Sequence, residues 1–302
     1  MKTLHKPPYL KRGDKICIIS TARKVSAFEL EPAIQVLESW DLKIVKGKNL
    51  HEEFNQFAGN DEQRLSDLQN ALDDPEIKAI FCARGGYGTP RIIDQVYWNK
   101  FISNPKWIIG FSDVTVLLNK VQNLGMCSIH APMLLFFTKE EYQISISLLR
   151  EYLFGRLSFL NNDPHFLNRT GESTGVLIGG NLSLIVNSIG TGSEFAAAGK
   201  ILFLEDIDEY LYHIDRMLLQ LKRSGVLSQI SGLVVGHFTD MKDNAIPFGE
   251  NAYEIIARNV QEYSYPVAFG FQSGHDVQNF PLPIGNKVKL LVLNEAVKVE
   301  FS

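Results

Sequence analysis

Short apolar runs alternate with amphipathic stretches through the first half of the chain, and this alternation limits the fold more than any other feature. The run at 15–20 (KICIIS) reads as a buried strand. Residues 28–40 have helical spacing and 42–45 follow as a strand. The stretch 61–72 (DEQRLSDLQNAL) opens on acids and repeats Leu at helical intervals, as a helix with a favourable N-terminal charge does. Further strands are predicted at 79–83, 106–111 and 127–131, and further helices at 114–124 and 140–153. Strands separated by helices of this length need crossover connections, which build a parallel sheet covered on both faces.

The stretch 159–173 (FLNNDPHFLNRTGES) breaks the pattern, being rich in Asn, Asp, Gly, Ser and Thr, and it reads as a linker. Beyond it, short strands are predicted at 175–178, 200–204, 232–235 and 267–271, with helices at 182–189, 210–224 and 251–263. A closing hairpin pairs 287–293 with 296–301 around Asn294-Glu295. The 302 residues thus divide into domains at 1–158 and 174–302, both α/β, the second smaller and richer in sheet.

Composition removes several classes of function. With 30 Lys+Arg against 34 Asp+Glu and a net charge of -4, the chain offers no broad basic field for nucleic acid. Cys17, Cys82 and Cys127 share no CxxC spacing, which argues against a disulfide scaffold and a structural zinc site. Thiols in or beside apolar strands fit a reducing compartment. Residues 1–14 are polar and lack the apolar core of a signal peptide, and no apolar run reaches the length of a membrane span. The expected location is the cytoplasm. None of the seven histidines forms an HExxH helix, since His51-Glu52-Glu53 lacks the second His. A Walker loop is absent, and Ser20-Thr21-Ala22 after the first strand has no dinucleotide-binding glycine.

Four segments, each just past a predicted strand, can carry chemistry. In Gly110-Phe111-Ser112-Asp113 a serine sits where strand turns into helix. There its hydroxyl is exposed, and the amide of Asp113 can donate to an oxyanion; the alternative is that Ser112 or Asp113 is a helix N-cap. In Ala83-Arg84-Gly85-Gly86-Tyr87-Gly88 three glycines in four positions let backbone amides approach a ligand, or serve only a tight turn. Arg84 pairs either with a substrate carboxylate or with an acid of the scaffold. Glu205 in Phe203-Leu204-Glu205-Asp206 is either a solvated strand-end acid or the acid that orients a histidine. His275 in Gln272-Ser273-Gly274-His275-Asp276 lies in a glycine-containing loop that can reach a cleft. Its rivals His130 and His237 lie in apolar strands, where a core role is expected.

Taken together, these segments resemble the LD-carboxypeptidases, also called muramoyltetrapeptide carboxypeptidases. The matching motifs are ARGGYG at 83–88, GFSD at 110–113, GGNL at 179–182, FLED at 203–206, YHIDR at 212–216 and GHD at 274–276, together with the opening pattern of Pro8, Leu10, Gly13 and Asp14. The resemblance covers nearly the whole chain. It implies a Rossmann-like parallel-sheet N-terminal domain and a smaller sheet-rich α/β C-terminal domain. It assigns Ser112 as nucleophile, His275 as general base, Glu205 as the acid that holds it, and the amides of Gly86 and Asp113 as the oxyanion hole. Arg84 and Tyr87 are candidate substrate contacts. The implied reaction releases the terminal D-alanine of a murein tetrapeptide, next to a diamino acid, in a homodimer without metal or cofactor. Two other readings stay open: a self-immunity peptidase of the microcin type, acting on a peptide-nucleotide antibiotic, and a non-catalytic ligand-binding protein.

Overall fold

In the computed structural model, which describes residues 4–301, the apolar runs pair into two sheets. Residues 1–3 of the polar opening segment, and residue 302, lie outside the described residues. The first half supplies β1 (Lys15–Ile19), β2 (Lys43–Lys46), β3 (Ile77–Cys82), β4 (Trp107–Gly110) and β5 (Ser128–His130). Between and after them come α1 (Ala27–Ser39), α2 (Asp61–Asp73), α3 (Asn99–Ser103), α4 (Thr115–Asn123) and α5 (Gln143–Leu153). These five strands pair in parallel in the order β5-β4-β3-β1-β2, as their helical crossovers require. Local chemistry starts the helices: Ser26 with Glu29 and Asn60 with Gln63 form reciprocal capping boxes at α1 and α2.

The remaining elements are β6 (Phe159–Asn162), β7 (Gly171–Asn181), α6 (Leu182–Ser188), β8 (Ile201–Ile207), α7 (Leu211–Arg223), α8 (Val226–Gln229), β9 (Gly232–Thr239), α9 (Ala252–Val260), β10 (Val267–Ala268), β11 (Leu282–Ile284), β12 (Lys287–Val292) and β13 (Val297–Phe301). The second sheet runs β10-β9-β8-β7-β12-β13-β6. It is parallel from β7 to β10 and antiparallel from β7 through β12 and β13 to β6. The stretch 159–173, expected as a linker, is therefore partly strand, since β6 pairs with β13 and β7 begins at Gly171.

Late in the chain, β11 crosses back to the first sheet and pairs antiparallel with β5. One apolar core joins both halves: Ile108, Phe111, Val114 and Leu117 pack in the same cluster as Leu177, Phe203, Val234 and Leu282. Burying this common face fixes the two sheets relative to each other. No helix among the described residues is long and apolar enough to cross a membrane.

Candidate active site

A cleft of about 690 Å³ opens at the carboxyl ends of β3, β4 and β8, where ligands bind in open α/β sheets. Ser112 lines it, on the turn between β4 and α4. Phe111 before it is extended, whereas Ser112 itself has φ of +61°. A serine in the left-handed region stores strain that surrounding structure must hold, as on the sharp strand-to-helix elbow of hydrolases. Its side chain accepts no helix-capping hydrogen bond at α4, so the N-cap alternative does not describe it.

The glycine turn packs directly against this elbow. A Cβ on Gly85 would lie 3.3 Å from Oγ of Ser112, and Gly86, with φ of +108°, also lines the cleft. Asp113 ties the two turns together, its buried Oδ2 accepting the N–H of Thr89 at 2.8 Å. Burial pushes the Asp113 carboxyl above its ordinary value, against the pull of the Thr89 and Gly88 amides. From sequence Asp113 offers its backbone amide or a helix N-cap; its side chain is instead a clamp on the glycine turn, which the motif spacing does not reveal.

From the second half, Glu205 is fully buried on β8, and His275, in the loop after β10, lines the cleft. Nδ1 of His275 donates to Oε2 of Glu205 at 2.6 Å. Burial alone pushes the Glu205 carboxyl up, but the charge and hydrogen bond of His275 outweigh it and hold the carboxyl below its ordinary value. His275 moves the other way: burial lowers it, while the charge and hydrogen bond of Glu205, with the charge of Asp206, raise it above 6.5. Glycine makes this approach possible. Gly274 has φ of +124°, and a Cβ there would sit 2.9 Å from Cβ of Glu205. A proton held on Nδ1 by Glu205 leaves Nε2 of His275 as the basic nitrogen.

Other expected groups separate. Arg84 lines the cleft and also donates to the backbone carbonyl of Lys24 at 3.2 Å, so it serves the scaffold as well. Tyr87 is outside the cleft lining, 46% exposed and packed on Phe57 at 6.1 Å. His237 is held by the carbonyl of Gln278 at 3.0 Å, whereas His130 is fully buried. Burial pushes the thiols of Cys17, Cys82 and Cys127 up to about 12, which leaves them protonated at neutral pH.

Two residues in the cleft lie in motifs read from the sequence, GGNL as structural or pocket-lining and FLED for Glu205, which give neither of them an individual role. Asn181 caps α6 and donates to Oδ1 of Asp206 at 2.8 Å. Asp206 also accepts the N–H groups of Ser183 and Ile207. Burial and the neighbouring charge of Glu205 push Asp206 up to about 7, so of two adjacent acids one stays ionised and the other holds a proton more readily. The GG before Asn181, at a strand end, was the available signal.

What the two halves share is this cleft, lined by Ser112 from the first and His275 from the second. Residues 16–131 match the LD-carboxypeptidase N-terminal domain and residues 174–290 match the LD-carboxypeptidase C-terminal domain. The chain belongs to the LD-carboxypeptidase family. A probable murein peptide carboxypeptidase of Bacillus subtilis is 33% identical over 310 residues, covering 98% of this chain and 94% of its own. The crystal structure of a muramoyltetrapeptide carboxypeptidase from Oxalobacter formigenes superposes with a TM-score of 0.86 at 29% identity, covering 95% of this chain and 98% of that one. The microcin C7 self-immunity protein in complex with aspartyl sulfamoyl adenosine reaches a TM-score of 0.86 at 22% identity over 98% of each chain, which is a likeness of fold.

Proposed function

We propose that this chain is a serine LD-carboxypeptidase that removes the terminal D-alanine from murein tetrapeptides, acting in the cytoplasm as a homodimer during cell-wall recycling. The observation that carries this reading is the Glu205–His275 hydrogen bond of 2.6 Å facing the same cleft as the strained Ser112. Nε2 of His275 takes the hydroxyl proton as Oγ of Ser112 attacks the carbonyl carbon of the diamino acid. The oxyanion is received by the amides of Gly86 and Asp113. His275 then gives its proton to the departing amine of D-alanine, and the C–N bond breaks. Water, deprotonated by His275, attacks the ester and frees the shortened peptide and Ser112.

The charges of the cleft support a peptide substrate that carries both signs. Arg23, Arg84 and Lys139, with the acid Glu29, line it from the first domain, and Asp206, Asp208 and Glu209 line it from the second. Arg84 is assigned to a substrate carboxylate, and Tyr87 to the rim. The test is incubation with a murein tetrapeptide followed by mass measurement, with aspartyl sulfamoyl adenosine as a second substrate. Loss of one alanine from the tetrapeptide is the expected result. Turnover of the nucleotide alone would favour the self-immunity reading, and turnover of neither would favour a binding protein. Light scattering at a monomer mass would contradict the dimer.

A further inference from the structure

His130 is a buried titratable group that the proposed mechanism does not use. It ends β5, fully buried, beside Gly110 of β4 and Leu282 of β11 in the sheet register. Its ring meets Phe111 edge-on at 5.6 Å and Phe203 at 4.9 Å. Phe111 directly precedes Ser112 and lies 4.7 Å from the ring of His275. Phe203 lies two residues before Glu205 on β8. Asn279 faces the imidazole from a third side, and its carbonyl accepts the N–H of Gly274 at 3.0 Å, next to His275. A single side chain thus adjoins the serine elbow, the strand of Glu205 and the loop of His275.

An apolar ring would fill this space without the cost of burying two polar nitrogens. By distance and angle neither nitrogen of His130 completes a hydrogen bond, and the same holds for Oε1 of Glu205 and Nδ2 of Asn279, all of them buried; the Asn279 amide nevertheless lies close enough to the imidazole to raise its pKa against the larger effect of burial. The titratable groups facing His130 are Glu205 from β8 and His275 from its loop, while Phe111, Phe203 and Leu282 around it carry no charge. Burial pushes His130 down to about 4, so a neutral imidazole dipole stands behind the pair.

We propose that His130 is a positioning residue, a neutral imidazole at the junction of the two domains that keeps Ser112, Glu205 and His275 in register and favours the ionised form of Glu205. This rests on the function proposed above. Without the ring dipole the Glu205 carboxylate is less well stabilised by its surroundings and pairs more strongly with the His275 imidazolium, so His275 titrates at higher pH.

The test compares His130→Phe, which keeps an aromatic ring, with His130→Gln, which keeps a polar group; His130→Met replaces the first if it does not fold. For His130→Phe the expected result is an unchanged or higher Tm, KM within about twofold, kcat lower by about 10-fold to 100-fold, and an acid limb of kcat/KM moved to higher pH. His130→Gln restores the limb. An unmoved limb, or a kcat loss that follows a fall in Tm, overturns the proposal. An NMR titration of the His275 imidazole needs no substrate and reads the same shift; an unmoved midpoint in His130→Phe overturns the proposal, whereas absence of D-alanine release by the wild type contradicts only the underlying function.

Discussion

Ser112, Glu205 and His275 each follow a predicted strand in the sequence, and the turn residues around them made them visible. Their joining was not visible. It depends on Gly274 letting the His275 loop close on Glu205 and on the Asp113 carboxylate clamping the glycine turn, and both are contacts between segments far apart in the chain. Two outcomes belong to this scale. As the proposed base, His275 can act only when neutral, and Glu205 raises its pKa above 6.5, so kcat/KM should fall as pH drops through a midpoint above 6.5. Glu205→Gln removes the largest raising charge and its hydrogen bond while burial and the charge of Asp206 remain, so that midpoint should move to lower pH; a pH profile of both enzymes checks it. For stability, the raised His275 contributes fully below 6.5 and the lowered Glu205 contributes above 4.5, so the pair helps most between these values. Gly86→Ala forces a side chain onto φ of +108° and into Arg23. If Gly86 is the oxyanion donor proposed above, displacing it in this way should lower kcat by about 10²–10³-fold, equivalent to about 3–4 kcal/mol, with steady-state kinetics as the check.

The GGNL segment gains its explanation from the elements it joins. Asn119 of α4 donates to the carbonyl of Gly179 at 3.4 Å, and Thr115 accepts the N–H of Asn181 at 3.1 Å. The helix that follows Ser112 is thereby seated on the end of β7, beside the strand that carries Glu205. Gly180 has φ of +133°, and a Cβ there would lie 2.6 Å from Oγ1 of Thr115. Gly180→Ala should therefore destabilise the protein by about 1–3 kcal/mol and lower kcat more than it raises KM, which thermal melts and kinetics together measure. Periodicity located most helices and strands of the chain. It missed β6, whose Asn-rich alternation looks like loop, and β11, a three-residue strand containing Pro283. Proline fits there because β11 lies at the sheet edge with β5 as its neighbour, a fact available only from the topology.

At the scale of the molecule, the shared core and the return of β11 tie the two halves into one packed unit, and the proposed catalytic residues come from both. Calorimetry should show a single unfolding transition, and Phe203→Ala, which empties a fully buried site between the halves, should cost about 3–5 kcal/mol. Two separated transitions would contradict this coupling. The sequence separated the chain into halves by composition, but composition carries no record of which strand crosses between sheets. The central claim is that the first domain brings the nucleophile and the second brings the base. D-alanine release from a murein tetrapeptide by Ser112→Ala tests it most directly. A fall in kcat of about 10⁴-fold or more with an unchanged Tm is predicted, and turnover within tenfold of the wild type would contradict it.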